Sequence, residues 1–157
     1  MKRFIQLLLT PGIRAARKAQ ILTTLLMAMA LGACASNLTD KTLYDDLGGQ
    51  PTIDRIADEF IVEIAYDDRV FPRFADSNVQ RFREKIIEHF CMIANGPCVY
   101  TGDSMVQTHA GMNISEAEFN AVVEDLIAAM DTVGVDIGTQ NRLLARLATL
   151  RPQIVGI

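Results

Sequence analysis

The sequence has few of the residues with which proteins build metal sites of their own. Only two histidines, His89 and His109, and three cysteines occur among the 157 residues. None of them follows His-x-x-x-His or Cys-x-x-Cys spacing, and no glutamate stands three residues before a histidine. A zinc knuckle, a carboxylate–histidine metal centre and the attachment motif of c-type cytochromes are therefore not indicated.

Other signatures of catalysis are missing as well. Gly48-Gly49 lacks the spacing of a phosphate-binding loop, and no serine or cysteine lies in a recognisable nucleophile motif. Acidic pairs such as Asp67-Asp68 fit solvated turns or helix N-termini. No stretch alternates apolar and polar residues as a strand does, and there is no internal repeat. We therefore expect an all-α protein.

The first 33 residues differ in charge from the rest of the chain. They contain five basic residues, no acidic residue and an apolar run over 21–33 that is too short for an ordinary membrane-spanning helix. This order is typical of a secretory signal. The run ends in Leu31-Gly32-Ala33-Cys34, which resembles the lipobox of bacterial lipoproteins. The resemblance implies cleavage before Cys34 and lipidation of that residue, and the alternative is an ordinary signal peptide cut near Ala35.

Residue 35 is alanine and not aspartate, so the resemblance implies an outer-membrane lipoprotein facing the periplasm. Segment 34–41 would then be a tether and 42–157 the folded domain. Without residues 1–33 the chain keeps 10 basic and 19 acidic residues, a net charge of −9. Such an acidic domain is not expected to bind nucleic acid, because phosphates need a basic surface. Its link to the membrane would be the lipid on Cys34.

One short turn and four amphipathic helices are predicted for this domain. They cover residues 42–47, 51–65, 79–94, 115–132 and 140–150. Asn78 and a Ser115–Glu118 capping box mark two helix starts, and Gly134 marks an end. Gly48-Gly49 permits a steep corner after the first turn.

Cys91 and Cys98 stand seven residues apart across a helix stop. They can form a disulfide only if the chain folds back at Gly96-Pro97. The interpretation we favour is that Cys91 is a small buried apolar residue and Cys98 a loop thiol.

His109 lies on a short predicted helix between two long apolar ones. A cofactor that brings four ligands of its own needs only one more from the protein, and haem is such a cofactor. Its pocket needs a neutral histidine, apolar walls on both faces and a few polar groups at the rim. We therefore expect His109 to bind haem iron.

A set of short motifs then resembles the group I truncated haemoglobins. In chain order these are Tyr44-Asp45-Asp46-Leu47-Gly48-Gly49, Phe71-Pro72-Arg73-Phe74, Gly96-Pro97, Tyr100-Thr101-Gly102, Met105, His109, Gly111, Ile114 and Phe119. They span most of residues 42–151 without large gaps. The resemblance implies a truncated globin, which is a two-over-two α-helical sandwich around haem b, with a diatomic gas (O₂, NO or CO) as its ligand.

The resemblance also assigns roles to individual side chains. His109 matches the proximal iron ligand, and Phe74 matches the phenylalanine that packs flat on the haem. Tyr100 matches a tyrosine near a propionate, and Met105 is expected near the proximal face. For Tyr100 and Met105 the alternative is a packing role in the core.

The distal side departs from the family pattern. Many members carry Phe-Tyr in the first long helix, where the tyrosine donates a hydrogen bond to bound dioxygen, but here the pair is Phe60-Ile61. Positions that often hold a polar group over the iron read Phe82 and Ile86. Lys85 can reach the haem edge or a propionate, or it can be a solvated lysine. We therefore expect fast release of dioxygen and relatively better binding of CO or NO.

His89 follows Phe82 and Ile86 along one helical face. It can rest at the haem edge, contact a propionate or swing in as a sixth iron ligand. The interpretation we favour is a histidine packed against neighbouring helices.

Together these features predict a gas-binding haem protein of the bacterial envelope. Gas delivery, sensing and nitric oxide removal are the candidate tasks, and the last would need an unknown reductase, because the sequence shows no reductase domain. Between an enzyme like nitric oxide dioxygenase and a non-enzymatic gas-binding haem protein, the interpretation we favour is the second. A cofactor-free helical lipoprotein that scaffolds the envelope is a rival from another class, and a helical binder of a small apolar molecule is a third.

Overall fold

The structure is a computed structural model that describes residues 41–157. The predicted signal peptide over 1–33, Cys34 and nearly all of the tether lie outside the described residues. Within 41–157, none of the helices has the length and apolar character needed to cross a membrane.

The described residues contain seven α-helices and one 3₁₀ turn. Their bounds are α1 Leu43–Asp46, α2 Gln50–Tyr66, α3 Phe71–Phe74, α4 Val79–Ile93, α5 Met105–His109, α6 Glu116–Val133 and α7 Ile137–Ala148, with the 3₁₀ turn at Arg151–Gln153. In this part of the chain the β structure is limited to one isolated bridge, between Ile114 and Val155. The predicted all-α class is confirmed.

The four long helices pack as two pairs. Helix α2 contacts α4 and, most extensively, α6, while α7 contacts both α4 and α6. The α2–α4 pair thus rests on the α6–α7 pair, which is the two-over-two sandwich that the sequence predicts. Side chains at the centre of these contacts are fully buried, among them Ile53, Ile56, Met130 and Leu143.

Capping side chains set several of the helix bounds as predicted. The Ser115 hydroxyl accepts from the Glu118 amide, and the Glu118 carboxylate accepts from the Ser115 amide at 2.8 Å. The Asn78 side chain accepts from the Arg81 amide at 2.9 Å and so caps α4. Gly48 and Gly49 both have positive φ, 93° and 72°, so the corner between α1 and α2 is one that glycine adopts without strain.

Helix α7 begins earlier than the sequence indicated. The Asp136 carboxylate accepts from the Thr139 amide at 3.0 Å and so acts as an N-cap. Residues 137–139, predicted to be a loop, therefore form the first turn of the helix. The predicted connection after α2 likewise contains a helical turn, Phe71–Phe74.

Cys91 and Cys98 form a disulfide, so the prediction of two independent thiols is wrong. Their Cα atoms are 5.8 Å apart. Asn95 has a φ of 62°, and the Gly96 amide donates to the Cys91 carbonyl at 2.8 Å, which turns the chain back at the end of α4. A Cβ on Gly96 would lie 2.5 Å from the Tyr44 ring and 2.7 Å from the Cys91 Sγ, so this corner requires glycine.

Candidate functional site

Two adjoining apolar cavities lie among α3, α4, α5, α6 and the C-terminal segment. Their volumes are about 230 and 320 Å³. Seven side chains line both cavities: Phe74, Phe82, Thr108, His109, Phe119, Val122 and Ile154. Taken together, the cavities fall in the size range of pockets that hold small molecules and cofactors. His109 stands at the boundary between them.

His109 ends α5 with one ring nitrogen engaged and the other free to bind. Its Nδ1 atom lies 2.8 Å from the Met105 carbonyl oxygen. Because a carbonyl can only accept, Nδ1 carries a proton in this contact, and in the neutral imidazole the lone pair is then on Nε2. The same contact fixes the orientation of the ring, as second partners of metal-binding histidines commonly do.

Aromatic side chains form much of the cavity walls. The Phe74 and Phe82 rings have centroids 5.2 Å apart, and those of Phe60 and Phe90 are 6.2 Å apart. Offset or tilted aromatic pairs of this kind bury a large apolar area. Aliphatic side chains from α6 and α7 continue the lining: Val122, Val123, Leu126 and Leu147.

Lys85 lies at the polar edge of the first cavity and is held by three oxygen atoms. Its Nζ atom is 2.9 Å from Glu84, 2.9 Å from Glu88 and 2.6 Å from the Thr101 hydroxyl. The ion pair with Lys85, together with the Thr101 amide, lowers the pKa of Glu88 to about 2. Lys85 and Glu88 are therefore both charged at neutral pH.

Tyr100 and His89 meet at the same edge. Their ring centroids are 5.1 Å apart, and the Tyr100 hydroxyl donates to the Asp103 carbonyl at 2.9 Å. Burial lowers the pKa of His89, so its imidazole is neutral at pH 7. A Cβ on Gly102 would overlap the Tyr100 hydroxyl, so the position of the tyrosine depends on that glycine.

Arg73 borders the second cavity and joins α3 to the segment after α5. Its Nε atom is 2.7 Å from the Glu118 carboxylate, and its Nη1 atom donates to the Met112 carbonyl at 3.0 Å. The ion pair and the contacts with Ser115 lower the pKa of Glu118 to about 2. This side of the pocket is thus closed by a charged pair.

Comparison with known proteins assigns the chain to a family. The family model for bacterial-like globins matches residues 42–155. The chain belongs to the bacterial-like globin family. The group 1 truncated hemoglobin GlbN of Nostoc sp. is 34% identical to this globin over 115 residues, which are 73% of this chain and 98% of the relative. The corresponding protein of Mycolicibacterium paratuberculosis is 31% identical and covers 72% of this chain and 83% of its own.

Solved structures agree with this assignment. The truncated hemoglobin from Tetrahymena pyriformis in its Fe(III) form superposes with a TM-score of 0.72 at 26% identity. It covers 74% of this chain and 100% of its own. The predicted truncated globin fold is confirmed by this similarity and by the two-over-two packing.

The globin fold brings almost all the predicted site residues together. Those that line the first cavity are Phe74, Phe82, Lys85, Ile86, His89, Tyr100, Met105 and His109. The structure therefore places them around one space, and their roles toward a cofactor stay predictions.

Ile61 does not line the first cavity, and its role toward a cofactor stays a prediction as well. It lines a cavity of about 60 Å³ that shares Phe74 and Phe82 with the first cavity, while its neighbour Phe60 lines the first cavity itself. Adjacent residues on a helix point about 100° apart, so a pair such as Phe60-Ile61 cannot face one space equally.

Sequence reasoning missed the contribution of the C-terminal segment to the site. Ile154 lines both cavities, and the backbone around it is held by the Gly156 amide, which donates to the Ile114 carbonyl at 3.0 Å. The segment follows the last helix and has no periodicity that predicts burial. The apolar pair Ile154-Val155 after Arg151-Pro152 was the only signal available.

Proposed function

We propose that this globin binds haem b through the Nε2 atom of His109 and binds a diatomic gas on the opposite face. The observation that carries the proposal is His109 itself, with Nδ1 engaged by a carbonyl and the ring at the boundary of two apolar cavities. Among residues 41–157 no group of three or more His, Cys, Asp or Glu side chains is arranged to hold a metal ion. An iron that brings four porphyrin nitrogens needs only this one histidine.

The other lining residues suit the parts of such a cofactor. Phe74 and Phe82 supply apolar surface for the ring, and Lys85 with Tyr100 supplies a cation and a hydroxyl-bearing ring at the polar edge. The relatives are named truncated hemoglobins, which supports the same conclusion. The bound haem would supply the iron that binds gas, and the protein would orient it and exclude water.

The test is whether the haem spectrum depends on His109. Protein purified from haem-supplemented cells should show a Soret band, and His109→Gly should lose or strongly alter it. Free imidazole should restore the spectrum of His109→Gly, because it replaces the missing ligand in the space left by the side chain. Val106→Ala is the control, since Val106 is on the same helix and is 50% exposed. Folded but colourless wild-type protein would contradict the proposal.

We propose further that the protein binds gas without turning it over, and that dioxygen leaves quickly. The lining side chains near Ile86 are mostly apolar, and Lys85 and Tyr100 already have hydrogen-bond partners. The absence of one charge-assisted hydrogen bond to bound dioxygen lowers its affinity by about 1.5–3 kcal/mol, or about ten- to a hundredfold.

Rapid mixing and flash photolysis would measure this release. Ile86→Gln, which adds a donor, should slow dioxygen release about tenfold or more and change CO release less. Ile86→Leu is the matched control and should leave both rates near those of the wild type. Wild-type release as slow as in relatives that carry a distal tyrosine would contradict the prediction.

We also propose that the protein is a periplasm-facing outer-membrane lipoprotein anchored through Cys34. The order of basic residues, apolar run and Leu31-Gly32-Ala33-Cys34 supports this location. The Cys91–Cys98 disulfide supports it as well, because disulfides persist in oxidising compartments. Cys34→Ser should lose label from a radioactive fatty acid and leave the membrane fraction, whereas wild-type protein in the soluble fraction would contradict the anchor.

A further inference from the structure

The disulfide lies close in sequence to two residues of the haem pocket proposed above. Cys91 is in the last turn of α4, two residues after His89, and is fully buried. Cys98 is in the following segment, two residues before Tyr100. The disulfide therefore joins the two stretches of backbone that carry the His89 and Tyr100 rings, which are 5.1 Å apart.

The segment that carries Tyr100 has few other attachments to α4. The Thr101 amide donates to Glu88 at 2.8 Å, and the Thr101 hydroxyl contacts Lys85 and Glu88. These hydrogen bonds are exposed, and exposed charged pairs hold a segment weakly. The neighbouring Val99 is 75% exposed and adds no packing. The disulfide is thus the strongest tie between Tyr100 and the helix that forms one wall of the pocket.

We infer that the Cys91–Cys98 disulfide positions Tyr100 against His89 at the pocket edge, so that haem retention depends on the redox state of these two cysteines. The inference rests on the proposed haem-binding function. Cys91 and Cys98 act here as positioning residues, because their effect on the pocket passes through Tyr100.

The chemical step is two-electron reduction by a dithiol. A thiolate of the reagent attacks one Sγ, the Cys91–Cys98 bond breaks, and a mixed disulfide forms. The second thiol of the reagent then displaces the cysteine. The protein gains two electrons and two protons and ends with two thiols, and the dithiol ends as a cyclic disulfide. Residues 98–103 then keep their exposed hydrogen bonds to α4 and the contact between the Tyr100 and His89 rings.

The experiment measures haem loss from the loaded protein to an excess of apomyoglobin, with and without dithiothreitol. Reduction should speed haem loss about tenfold, which corresponds to a loss of about 1.4 kcal/mol of binding free energy. Cys91→Ser/Cys98→Ser should lose haem at the fast rate in both conditions, and its insensitivity controls for any effect of the reagent on the haem. Val99→Ala should behave as the wild type does, because Val99 is in the same segment but exposed.

A second variant separates positioning from general stability. Tyr100→Ala should speed haem loss in the oxidised protein but add nothing in the Cys91→Ser/Cys98→Ser background, since both changes remove the same contact. Equal haem loss from oxidised and reduced protein, additive effects in this cycle, or loss of helical circular dichroism on reduction would each overturn the inference. Absence of haem uptake in every sample would instead overturn the proposed function.

Discussion

His109 shows how one backbone contact can prepare a side chain for binding. The Met105 carbonyl is one helical turn earlier, so a helix of only five residues is long enough to supply the partner of Nδ1. The Ser104–Gln107 capping box makes this short helix start at a defined residue, which an isolated helix of such length would not do. The imidazole is thus oriented before any ligand arrives.

His89 is the second imidazole of the cavity, and we expect it not to coordinate iron. It is neutral at pH 7 because burial lowers its pKa, but its ring already packs against Tyr100. His89→Ala should therefore leave the ferric absorption and electron paramagnetic resonance spectra unchanged. A change from low-spin to high-spin iron in this variant would identify His89 as a sixth ligand. His109→Gly serves as the reference for a spectrum that changes because a ligand is lost.

Asp125 is a buried carboxyl that destabilises the fold at neutral pH. It is 6% exposed, and its Oδ2 atom has no hydrogen-bond partner among the described residues. Burial, followed by the charge of Asp67, raises the pKa of Asp125 to about 6. An acid whose pKa is higher in the folded state binds its proton more tightly there, so stability is lost progressively as the pH rises from about 4, the ordinary pKa of an aspartate, to about 6.

Asp125→Asn should therefore stabilise the protein above about pH 6 and have little effect at about pH 4 and below. We expect a gain of about 1–3 kcal/mol, the range for an unsatisfied buried polar group. Urea unfolding of both proteins from about pH 4 to pH 8 measures the difference. Glu124→Gln is the control, because that carboxylate is exposed and pairs with Arg69. A gain that does not depend on pH would show that the Asp125 carboxyl is not the cause.

At the scale of elements, the sequence predicts helices well where a capping residue and an apolar stripe agree. The starts of α4 and α6 follow from Asn78 and from the Ser115–Glu118 box. Helix α7 starts earlier than predicted, because the Asp136 carboxylate accepts from the Thr139 amide and caps the helix there. Whether an aspartate side chain caps a helix or lies in a loop depends on the backbone geometry, which the local sequence pattern does not determine.

The wrong prediction for the two cysteines has a different physical origin. The disulfide requires the reversal at Asn95 and Gly96, which brings together two residues that a continued helix would separate. Phe60 and Ile61 line different cavities because adjacent residues on a helix point about 100° apart. The residues around His109 were predicted better, because the family motifs carry their mutual arrangement while composition and periodicity do not.

The C-terminal segment after α7 closes one side of the pocket, and a substitution at Ile154 tests this role. Ile154 lines both cavities, and the segment is tied back by the Asn113 amide, which donates to the Ile157 carbonyl at 2.9 Å. Ile154→Ala should reduce stability by about 1–2 kcal/mol, less than the cost for a fully buried isoleucine, and should speed haem loss. Urea unfolding and the apomyoglobin assay measure the two effects. Val155→Ala, next to it but outside both cavities, should change haem loss little, and equal effects of the two variants would contradict the role of Ile154.

At the scale of the whole molecule, the cavities and the fold are coupled. The pocket is lined by side chains from α2, α3, α4, α5, α6 and α7, so its occupant would contact every long helix of the sandwich. A ligand that binds only the folded state stabilises it by mass action, by about 4 kcal/mol at a thousandfold excess over the dissociation constant. Haem binding should therefore raise the free energy of global unfolding and not only stabilise the residues around His109.

We expect haem to raise the melting temperature of the protein by about 10–20 °C, from that free energy and the melting entropy of a domain of this size. Circular dichroism melts of the apo and loaded forms measure the shift. Protoporphyrin IX without iron separates the two contributions, because it fills the apolar space but cannot be ligated by His109. In the wild type, protoporphyrin IX should give a smaller shift than haem does. In His109→Gly, protoporphyrin IX and haem should give equal shifts. Equal shifts with and without iron in the wild type would show that burial of the ring, and not ligation by His109, provides the stabilisation.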